Sequence, residues 1–400
     1  MRILFVAMHN SIHTARWIRQ LRGLGWDLHL FPIQQSDPDP DLDQLHPEIR
    51  EITVHHPGGL PLSAPRPGVR EAGTWPLRLR GPARKDIFRR IRRRFLRRDR
   101  DLAATVRRIR PDVVHSMEFQ HAGYLTLAAL PHMGPARPPW LAANWGSDVY
   151  LYGRLASDRE QVRALLRSCD YYHCECERDV ALAREFGLRG EVVAVSPSGG
   201  GFDVATIAGL SGGVPPSARR VIVLKGYQHW AGRALVGIRA LELCADVLSG
   251  YRIVVLPVER PVAIAAELAS QRTGIEFETR GGLPHEETLR LFASARVHIG
   301  LSISDAISTS FLESMITGAF PIQSCTSCAS EWIDDGVGGI IVPPEDPEVI
   351  ARAIRRALAD DALVDEAARS NRKTAMERLD LSVVRPRVTE MYERIAAATR

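Results

Sequence analysis

The sequence predicts an α/β protein of two doubly wound domains, each a parallel sheet covered by helices on both faces. Short β-rich runs alternate with helical patterns along the 400 residues, too many for one compact core. The alternation is interrupted at 196–218, where Gly, Ser and Pro predict a hinge. Because ligands of such domains bind at the carboxyl ends of strands, we expect a cleft between the two domains.

Apolar and β-branched runs predict the strands of both domains. In the first domain these runs are "RILFVAM", "DLHLFPI", "DVVHSM", "WLAANWG", "YYHCEC" and "EVVAVSP". Helical patterns such as Thr14 to Leu24 and Asp158 to Ser168 separate them. In the second domain the runs are "VIVLKG", "RIVVLP", "IEFETR", "ARVHIGLS", "FPIQS" and "GIIVP".

Composition excludes several classes of protein. Hydrophobic residues at 45% and charged residues at 25% are typical of a globular chain. The longest apolar stretches fall short of the roughly 18 to 20 residues of a membrane helix, so we expect a cytoplasmic protein. Six cysteines are few for this length, and we expect reduced thiols. A four-thiolate zinc site from "CEC" and "CTSC" is an alternative that we disfavour, because neither pair has a knuckle-like context.

One segment carries the basic character of the chain. Residues 84–100 contain 10 Lys and Arg against 2 Asp, whereas the whole chain has a net charge of +5. An apolar stripe follows helical spacing up to Pro111, through Phe88, Ile91, Phe95, Leu102, Val106 and Ile109. Two interpretations stay open: a helix packed on a sheet with its arginines in water, or a basic surface over 84–110 that meets phosphates of a membrane or an acceptor. Nucleic acid is disfavoured, since no stacking aromatics interleave the arginines.

The stretch "SISDAISTSFLESMITGAFPIQS" (302–324) predicts a polar loop, a short helix and a buried strand. Apolar residues at helical spacing follow the loop, and Gly318 is placed as a helix C-cap. Ser308, Thr309 and Ser310 therefore offer hydroxyls and backbone N–H groups at the positive end of a helix. This arrangement predicts an anion site.

The segment 301–346 resembles the donor-site signature of family-4 retaining glycosyltransferases, which have the GT-B fold. That signature places an acidic residue and a Glu eight positions apart before a Met-x-x-Gly-x-x-Pro-Ile turn. Here they are Asp305, Glu313 and "SMITGAFPI", followed by "EWIDDGVGGIIVPPEDPEVIARAI". Weaker similarities in the family's order are "RPDVVHS", "NWGSDVY", "SPSGGGFD" and "VIVLKGYQHWAGRA". The resemblance implies two Rossmann-like domains facing a central cleft.

Two departures from the family pattern concern the donor. Asp305 stands where the family usually has Glu, and Ser308 and Thr309 replace glycines. The family's Arg-then-Lys pair corresponds here to Lys225 and Arg233, in reverse order. The resemblance therefore does not identify the donor sugar of this chain.

The resemblance also implies roles for the residues of this site. Glu313 would accept the hydroxyls of the donor ribose, and Asp305 would meet the donor sugar. Lys225, Arg233 and the amides of Ser308 to Ser310 are expected at the diphosphate, where positive charge stabilises the leaving group. We therefore expect neither a metal nor a cofactor.

The first domain is predicted to bind the acceptor. Four residues follow its first strand: His9, Asn10, Ser11 and His13. His115 and Asp148 end two later strand runs, and we predict that any of His13, His115 or Asp148 orients an acceptor hydroxyl. The acidic run at 37–43 contains prolines and lacks regular ligand spacing, and it is predicted to be a solvated loop.

These observations predict an acceptor-binding domain at 1–200, a nucleotide-sugar domain at 201–375 and a C-terminal helix at 376–400 that crosses back to the first. The predicted function is retaining transfer of a sugar from a nucleotide-diphosphate sugar to an acceptor hydroxyl. If the basic surface binds phosphates, the acceptor is phosphate-bearing or lipid-linked, and the protein would bind it at the periphery of a membrane. Alternatives are a nucleotide-sugar 2-epimerase, a non-catalytic nucleotide-sugar binder and an anionic-surface adaptor.

Overall fold

The structure, a computed structural model, describes residues 1–33, 45–59, 66–74 and 97–398. The chain divides into two compact units. Unit 1 comprises Met1–Gly201 and Val384–Arg400, and unit 2 comprises Phe202–Val383. The acidic run at 37–43 and the basic residues 84–96 lie outside the described residues.

Unit 1 contains a parallel sheet of eight strands among its described residues, in the order β4-β3-β2-β1-β5-β6-β7-β8. The strands are β1 (Arg2–Met8), β2 (Asp27–Ile33), β3 (Ile52–Gly59), β4 (Val69–Thr74), β5 (Val113–Met117), β6 (Trp140–Ala143), β7 (Tyr171–Cys174) and β8 (Glu191–Val195). The edge strand β4 and its neighbour β3 were not predicted, because "ITVHHPGG" and "VREAGT" lack a continuous apolar run.

The helices of unit 1 cover both faces of this sheet. Within the described residues before 201 they are α1 (Ile12–Arg19), α2 (Arg98–Ile109), α3 (Tyr124–Met133), α4 (Arg159–Ser168) and α5 (Glu177–Glu185). Alternate residues of β1 enter different cores: Leu4 and Val6 pack with α2 and α4, whereas Ile3 and Phe5 pack with α1. Burial on both faces explains the continuous apolar runs of the inner strands.

Helix α2 resolves part of the question raised by the basic segment. Its Leu102, Val106 and Ile109 are buried in the core of unit 1, so this part of the apolar stripe packs against the protein. The helix ends at Ile109, and Arg110 adopts a left-handed conformation with φ of 48° before Pro111. Phe88, Ile91 and Phe95 lie outside the described residues.

Unit 2 contains a second parallel sheet, in the order β11-β10-β9-β12-β13-β14. Its strands are β9 (Val221–Lys225), β10 (Arg252–Leu256), β11 (Phe277–Thr279), β12 (Val297–Gly300), β13 (Phe320–Ser324) and β14 (Ile340–Val342). Each lies within a run that predicted it. The two faces of β9 are again buried in different cores, Ile222 and Leu224 in one and Val223 in the other.

The helices of unit 2 are α6 (Val204–Gly209), α7 (Ala234–Glu242), α8 (Arg260–Thr273), α9 (His285–Ser294), α10 (Thr309–Thr317), α11 (Pro347–Ala359) and α12 (Asp361–Arg378). Helix α6 falls inside the stretch that we predicted to be a hinge. Its Val204 and Ile207 are buried against α10 residues, so this part of the stretch belongs to the core of unit 2.

The C-terminal segment returns to unit 1 later than predicted, at Val384 rather than at residue 376. Helix α13 (Leu381–Ala397) continues through Pro386. Its Val384, Val388 and Tyr392 are buried in the unit 1 core. Residues 376–378 instead complete α12 in unit 2.

Both described sheets are parallel and carry buried cores on both faces, so the predicted α/β class is confirmed. Among the residues that the structure describes, no helix is both long and apolar enough to cross a membrane.

Candidate functional site

The candidate site lies in unit 2, where β9 and β12 end side by side. These neighbouring strands are parallel, so the residues that follow them share one edge of the sheet. Lys225 is the last residue of β9, and the loop after β12 leads into α10. The N-terminus of α10 therefore lies at this edge, where its N–H groups provide partial positive charge.

Four predicted residues come together at this point. Lys225 Nζ donates a hydrogen bond of 3.1 Å to Ser308 Oγ and lies 4.0 Å from Asp305 Oδ2. The hydroxyls of Ser308 and Ser310 are 2.9 Å apart. The side chains of Lys225 and Asp305 are 21% and 23% exposed, so each retains access to solvent. A cation, a carboxylate and two hydroxyls thus meet at a helix N-terminus.

Local sequence explains why α10 begins and ends where it does. Ser308 is the N-cap with extended backbone, and Thr309, half-buried, is the first helical residue. Gly318 ends the helix with φ of 85°, a conformation that favours glycine. Phe311 and Leu312 are buried in the unit 2 core and fix the direction of the helix.

Glu313 is buried, with only 4% of the residue exposed. Its Oε1 lies 2.7 Å from Nε2 of His285, the first residue of α9. This pair joins the two helices. The sequence analysis did not identify His285, because a contact over 28 positions depends on how the helices pack; the neighbouring "LPHEE" indicated only a helix start.

Arg233 is held by its own loop. Its Nη1 donates to the carbonyl oxygen of Gly232 at 2.9 Å, and its Nε lies 2.9 Å from Glu345 Oε1. These contacts fasten the loop between β9 and α7. The structure thus places Arg233 beside Glu345, whereas Lys225 contacts Asp305 and Ser308.

The residues that follow β1 in unit 1 have different surroundings. His9 is 1% exposed, and its Nδ1 lies 3.0 Å from the carbonyl oxygen of Ile33. Asn10 is exposed, and Ser11 caps α1 by accepting a hydrogen bond from His13 N. The ring of His13 packs edge-on against Trp145. His9 is therefore buried in the structure, and its predicted role toward an acceptor stays a prediction.

His115 is placed inside unit 1 rather than at a strand end. It lies in the middle of β5 with no exposed surface, and its Nδ1 is 2.6 Å from the hydroxyl of Tyr392 on α13. Trp17 Nε1 donates to the same hydroxyl at 2.8 Å. Burial, with a further contribution from His173, lowers the pKa of His115 well below its ordinary value. The predicted strand-end position is therefore wrong, since β5 continues to Met117, whereas the contact with an acceptor hydroxyl stays a prediction.

Asp148 fastens two loops of unit 1. Its Oδ2 accepts hydrogen bonds from the backbone N–H groups of Trp145 at 2.7 Å and Phe119 at 2.9 Å. The residue is 5% exposed, and burial together with nearby Glu118 raises the pKa of its carboxyl well above the ordinary value. Asp148 therefore lies in a loop beyond β6, which ends at Ala143, and its role toward an acceptor hydroxyl stays a prediction.

Glu118 is a residue that the sequence analysis missed. It follows β5 with φ of 79°, which is unusual for a residue with a side chain. Its carboxylate accepts hydrogen bonds from the N–H groups of His121 and Ala122, and its Oε2 lies 3.1 Å from His121 Nδ1. Backbone strain of this kind has no signature in a single sequence.

Comparison with known proteins finds a family match within unit 2. The family model described as "Glycosyl transferases group 1" matches residues 266–375, which include the candidate loop and Glu313. No curated protein matches the chain in sequence.

Solved structures match the entire chain. Sucrose-phosphate synthase from Thermosynechococcus elongatus has a TM-score of 0.70 at 15% identity, with 100% of each chain covered. An α,α-trehalose 6-phosphate synthase from Burkholderia multivorans has a TM-score of 0.68 at 14% identity, covering 100% of this chain and 99% of that one. Anabaena HepE in complex with UDP-glucose has a TM-score of 0.65 at 15% identity, covering 100% and 99%. At such identities the likeness establishes the fold alone, which is GT-B.

Proposed function

We propose that this chain is a retaining glycosyltransferase, of the family-4 type, that transfers a sugar from a nucleotide-diphosphate sugar to an acceptor hydroxyl. The observation that carries the proposal is the meeting of Lys225, Asp305 and Ser308 at the N-terminus of α10. That helix lies within the stretch that matches group 1 glycosyltransferases. The UDP-glucose complex of HepE supports the same donor class.

The chemistry of the cluster suits a diphosphate leaving group. Negative charge gathers on the diphosphate as its bond to the sugar breaks, and a charge that develops in the transition state is best stabilised by groups already in place. Lys225 is fixed by Ser308, and the N–H groups at the start of α10 point outward from the helix. These groups supply positive charge at the phosphates, so the proposal includes no metal or cofactor.

The two carboxylates have separate roles in the proposal. Glu313 would accept the ribose hydroxyls, with His285 holding one of its oxygens. Asp305, next to Lys225, would hydrogen-bond the sugar where positive charge develops during transfer. The leaving phosphate would help to take the proton of the acceptor, which makes a dedicated base in unit 1 unnecessary.

For the acceptor, we propose a phosphate-bearing or lipid-held molecule met by the basic segment 84–110, in the cytoplasm or at a membrane periphery. The support is the local excess of positive charge at 84–100. The apolar stripe of α2 does not contribute a membrane anchor, since its residues are buried in unit 1.

The proposal is tested by thermal-shift and calorimetric screening against UDP-, GDP-, ADP- and dTDP-sugars. We expect one nucleotide class to bind and to stabilise the protein. Anomeric configuration of a transferred product, read by NMR, then tests retention. Failure of all four classes to bind would contradict the proposal, and release of an epimer without any acceptor would favour the 2-epimerase alternative.

A further inference from the structure

The loop between β9 and α7 carries three aromatic rings in succession, joined by two ring contacts, beside the candidate site. The ring centroids of Tyr227 and His229 are 5.2 Å apart, and those of His229 and Trp230 are 5.5 Å apart. Trp230 is 54% exposed and Tyr227 is 37% exposed. We call Tyr227, His229 and Trp230 the aromatic ladder. Large exposed rings grouped in this way commonly mark a binding surface.

The aromatic ladder stands on a fixed backbone. Ile303 N donates to the carbonyl oxygen of Ala231 at 2.9 Å, and Arg233 N donates to that of Leu301 at 3.1 Å. A Cβ on Gly232 would lie 2.2 Å from the carbonyl oxygen of Tyr227, so only glycine permits this close approach. The loop is thus pinned to the segment that leads to Asp305.

The first ring of the ladder adjoins the charged groups of the site. Lys225 Nζ lies 5.2 Å from the ring centroid of Tyr227, within range of a cation–π contact. Burial, with added contributions from the carboxylates of Glu259 and Asp305, raises the pKa of Tyr227. The ladder therefore extends from the Lys225 and Asp305 pair toward solvent.

The chemistry of this surface favours a sugar ring. One face of a pyranose presents C–H groups, which match the electron-rich face of an aromatic ring, and tryptophan and tyrosine provide that face at little cost in side-chain entropy. The carboxylate of Asp305 at the foot of the ladder suits sugar hydroxyls. The proposed ribose contact, Glu313, is instead paired with His285 of α9.

We propose that Tyr227 and Trp230 form a stacking platform for the pyranose ring of the donor sugar. This inference rests on the proposed function and adds a specificity element to it. The sugar stacks on the rings while its diphosphate lies at Lys225 and the start of α10. The platform contributes to the affinity for the intact donor and not to the affinity for the free nucleotide.

The test compares W230A, W230F and L268A in the full-length protein. Leu268 on α8 is 45% exposed and serves as the matched truncation of an apolar surface residue. Calorimetry measures the Kd of the nucleoside diphosphate that wild type prefers and of its glucose ester. We expect W230A to raise the Kd of the glucose ester about three- to tenfold, with the Kd of the free diphosphate unchanged. W230F should recover most of the loss, and L268A should bind both as wild type does.

Three results would overturn the platform. In the first, W230A binds the glucose ester as wild type does. In the second, W230A loses affinity for the ester and for the free diphosphate equally, which would show that the rings contact the nucleotide. In the third, only acceptor-dependent turnover falls. A wild type that binds none of these diphosphates would overturn the proposed function as well, so the two failures are distinguishable. Because Trp230 is mostly exposed, unfolding of W230A is not expected, and circular dichroism checks it.

Discussion

The two units present polar residues near the carboxyl ends of their strands, yet they use them differently. In unit 2, Lys225 and Asp305 are 21% and 23% exposed and contact each other. In unit 1, His9, His115 and Asp148 are at most 5% exposed and contact buried or backbone groups of the same unit. Lys225 is the last residue of β9, whereas His115 lies in the middle of β5 and pairs with both Phe5 and Leu141. Position alone does not decide exposure, since His9 and Asp148 follow their strands and are nevertheless buried.

Replacement of Lys225, the basic residue of the candidate site in unit 2, should produce the largest effect on activity. We expect Lys225→Met to lower kcat for cleavage of the donor about 100-fold, because the leaving diphosphate loses a fixed positive charge. The thermal midpoint should stay close to that of wild type. Steady-state release of the nucleoside diphosphate measures the effect. Lys373→Met, an exposed lysine on α12, is the control, and an equal loss in that variant would remove the special role of Lys225.

Truncation of the core histidine in unit 1 should act on stability instead. We expect His115→Ala to lower the free energy of unfolding by about 2 kcal/mol, since it leaves a cavity and removes the contact with Tyr392. Urea denaturation measures this change, and His132→Ala at a partly exposed position is the control. Folded His115→Ala should bind the nucleotide normally. If it is fully stable but inactive, our assignment of His115 to the core is wrong.

Replacement of the buried carboxylate in unit 2 should weaken nucleotide binding. Glu313→Gln has one acceptor oxygen where two are proposed to receive ribose hydroxyls, so we expect the Kd to rise about tenfold. Calorimetry with the ribonucleotide and its 2′,3′-dideoxy analogue separates the contributions. The dideoxy analogue should bind wild type and variant alike. A loss of the same size for both compounds would argue against contact between Glu313 and the ribose.

The smallest effect that we expect is a loss of stability in unit 1 at acid pH. In unit 1, Arg108 donates to His55 Nδ1, His55 Nε2 lies 2.9 Å from His29 Nδ1, and His29 Nε2 lies 3.1 Å from Asp27. Burial is the main cause that lowers the pKa of His55 to about 3, and burial also lowers the pKa of His29. Below the ordinary histidine pKa, the unfolded chain therefore binds more protons than the folded chain. The contribution of these histidines to the free energy of unfolding is complete above about pH 6.5 and declines as the pH falls toward their folded pKa.

We therefore expect His55→Gln to make stability less dependent on pH. Between pH 7 and 6 the difference should be about 0.5 kcal/mol, read from urea denaturation at each pH. Arg2, Arg70 and His56 also act on this pair of histidines, so ionic strength must be held constant. Identical pH dependence in wild type and variant would show that the histidine chain does not titrate on unfolding.

The sequence predicted the strands of unit 2 and the hydroxyl-rich loop because buried parallel strands are continuous apolar runs and helix caps leave local signatures. It did not predict the contact between Glu313 and His285, the left-handed Glu118 or the ring contacts of the aromatic ladder. Each depends on how segments pack or on a backbone dihedral that no local pattern encodes. His115 was misplaced because a strand-end position cannot be separated from a mid-strand position when boundaries are uncertain by a few residues.

Unit 2 is proposed to hold a diphosphate at Lys225 and the start of α10. The most direct test is the ratio of Kd for a nucleoside monophosphate to Kd for the corresponding diphosphate, measured by calorimetry on wild type, Lys225→Met and His115→Ala. We expect wild type and folded His115→Ala to prefer the diphosphate and Lys225→Met to lose that preference. A preference that survives in Lys225→Met, or disappears equally in both variants, would show that Lys225 does not hold the diphosphate.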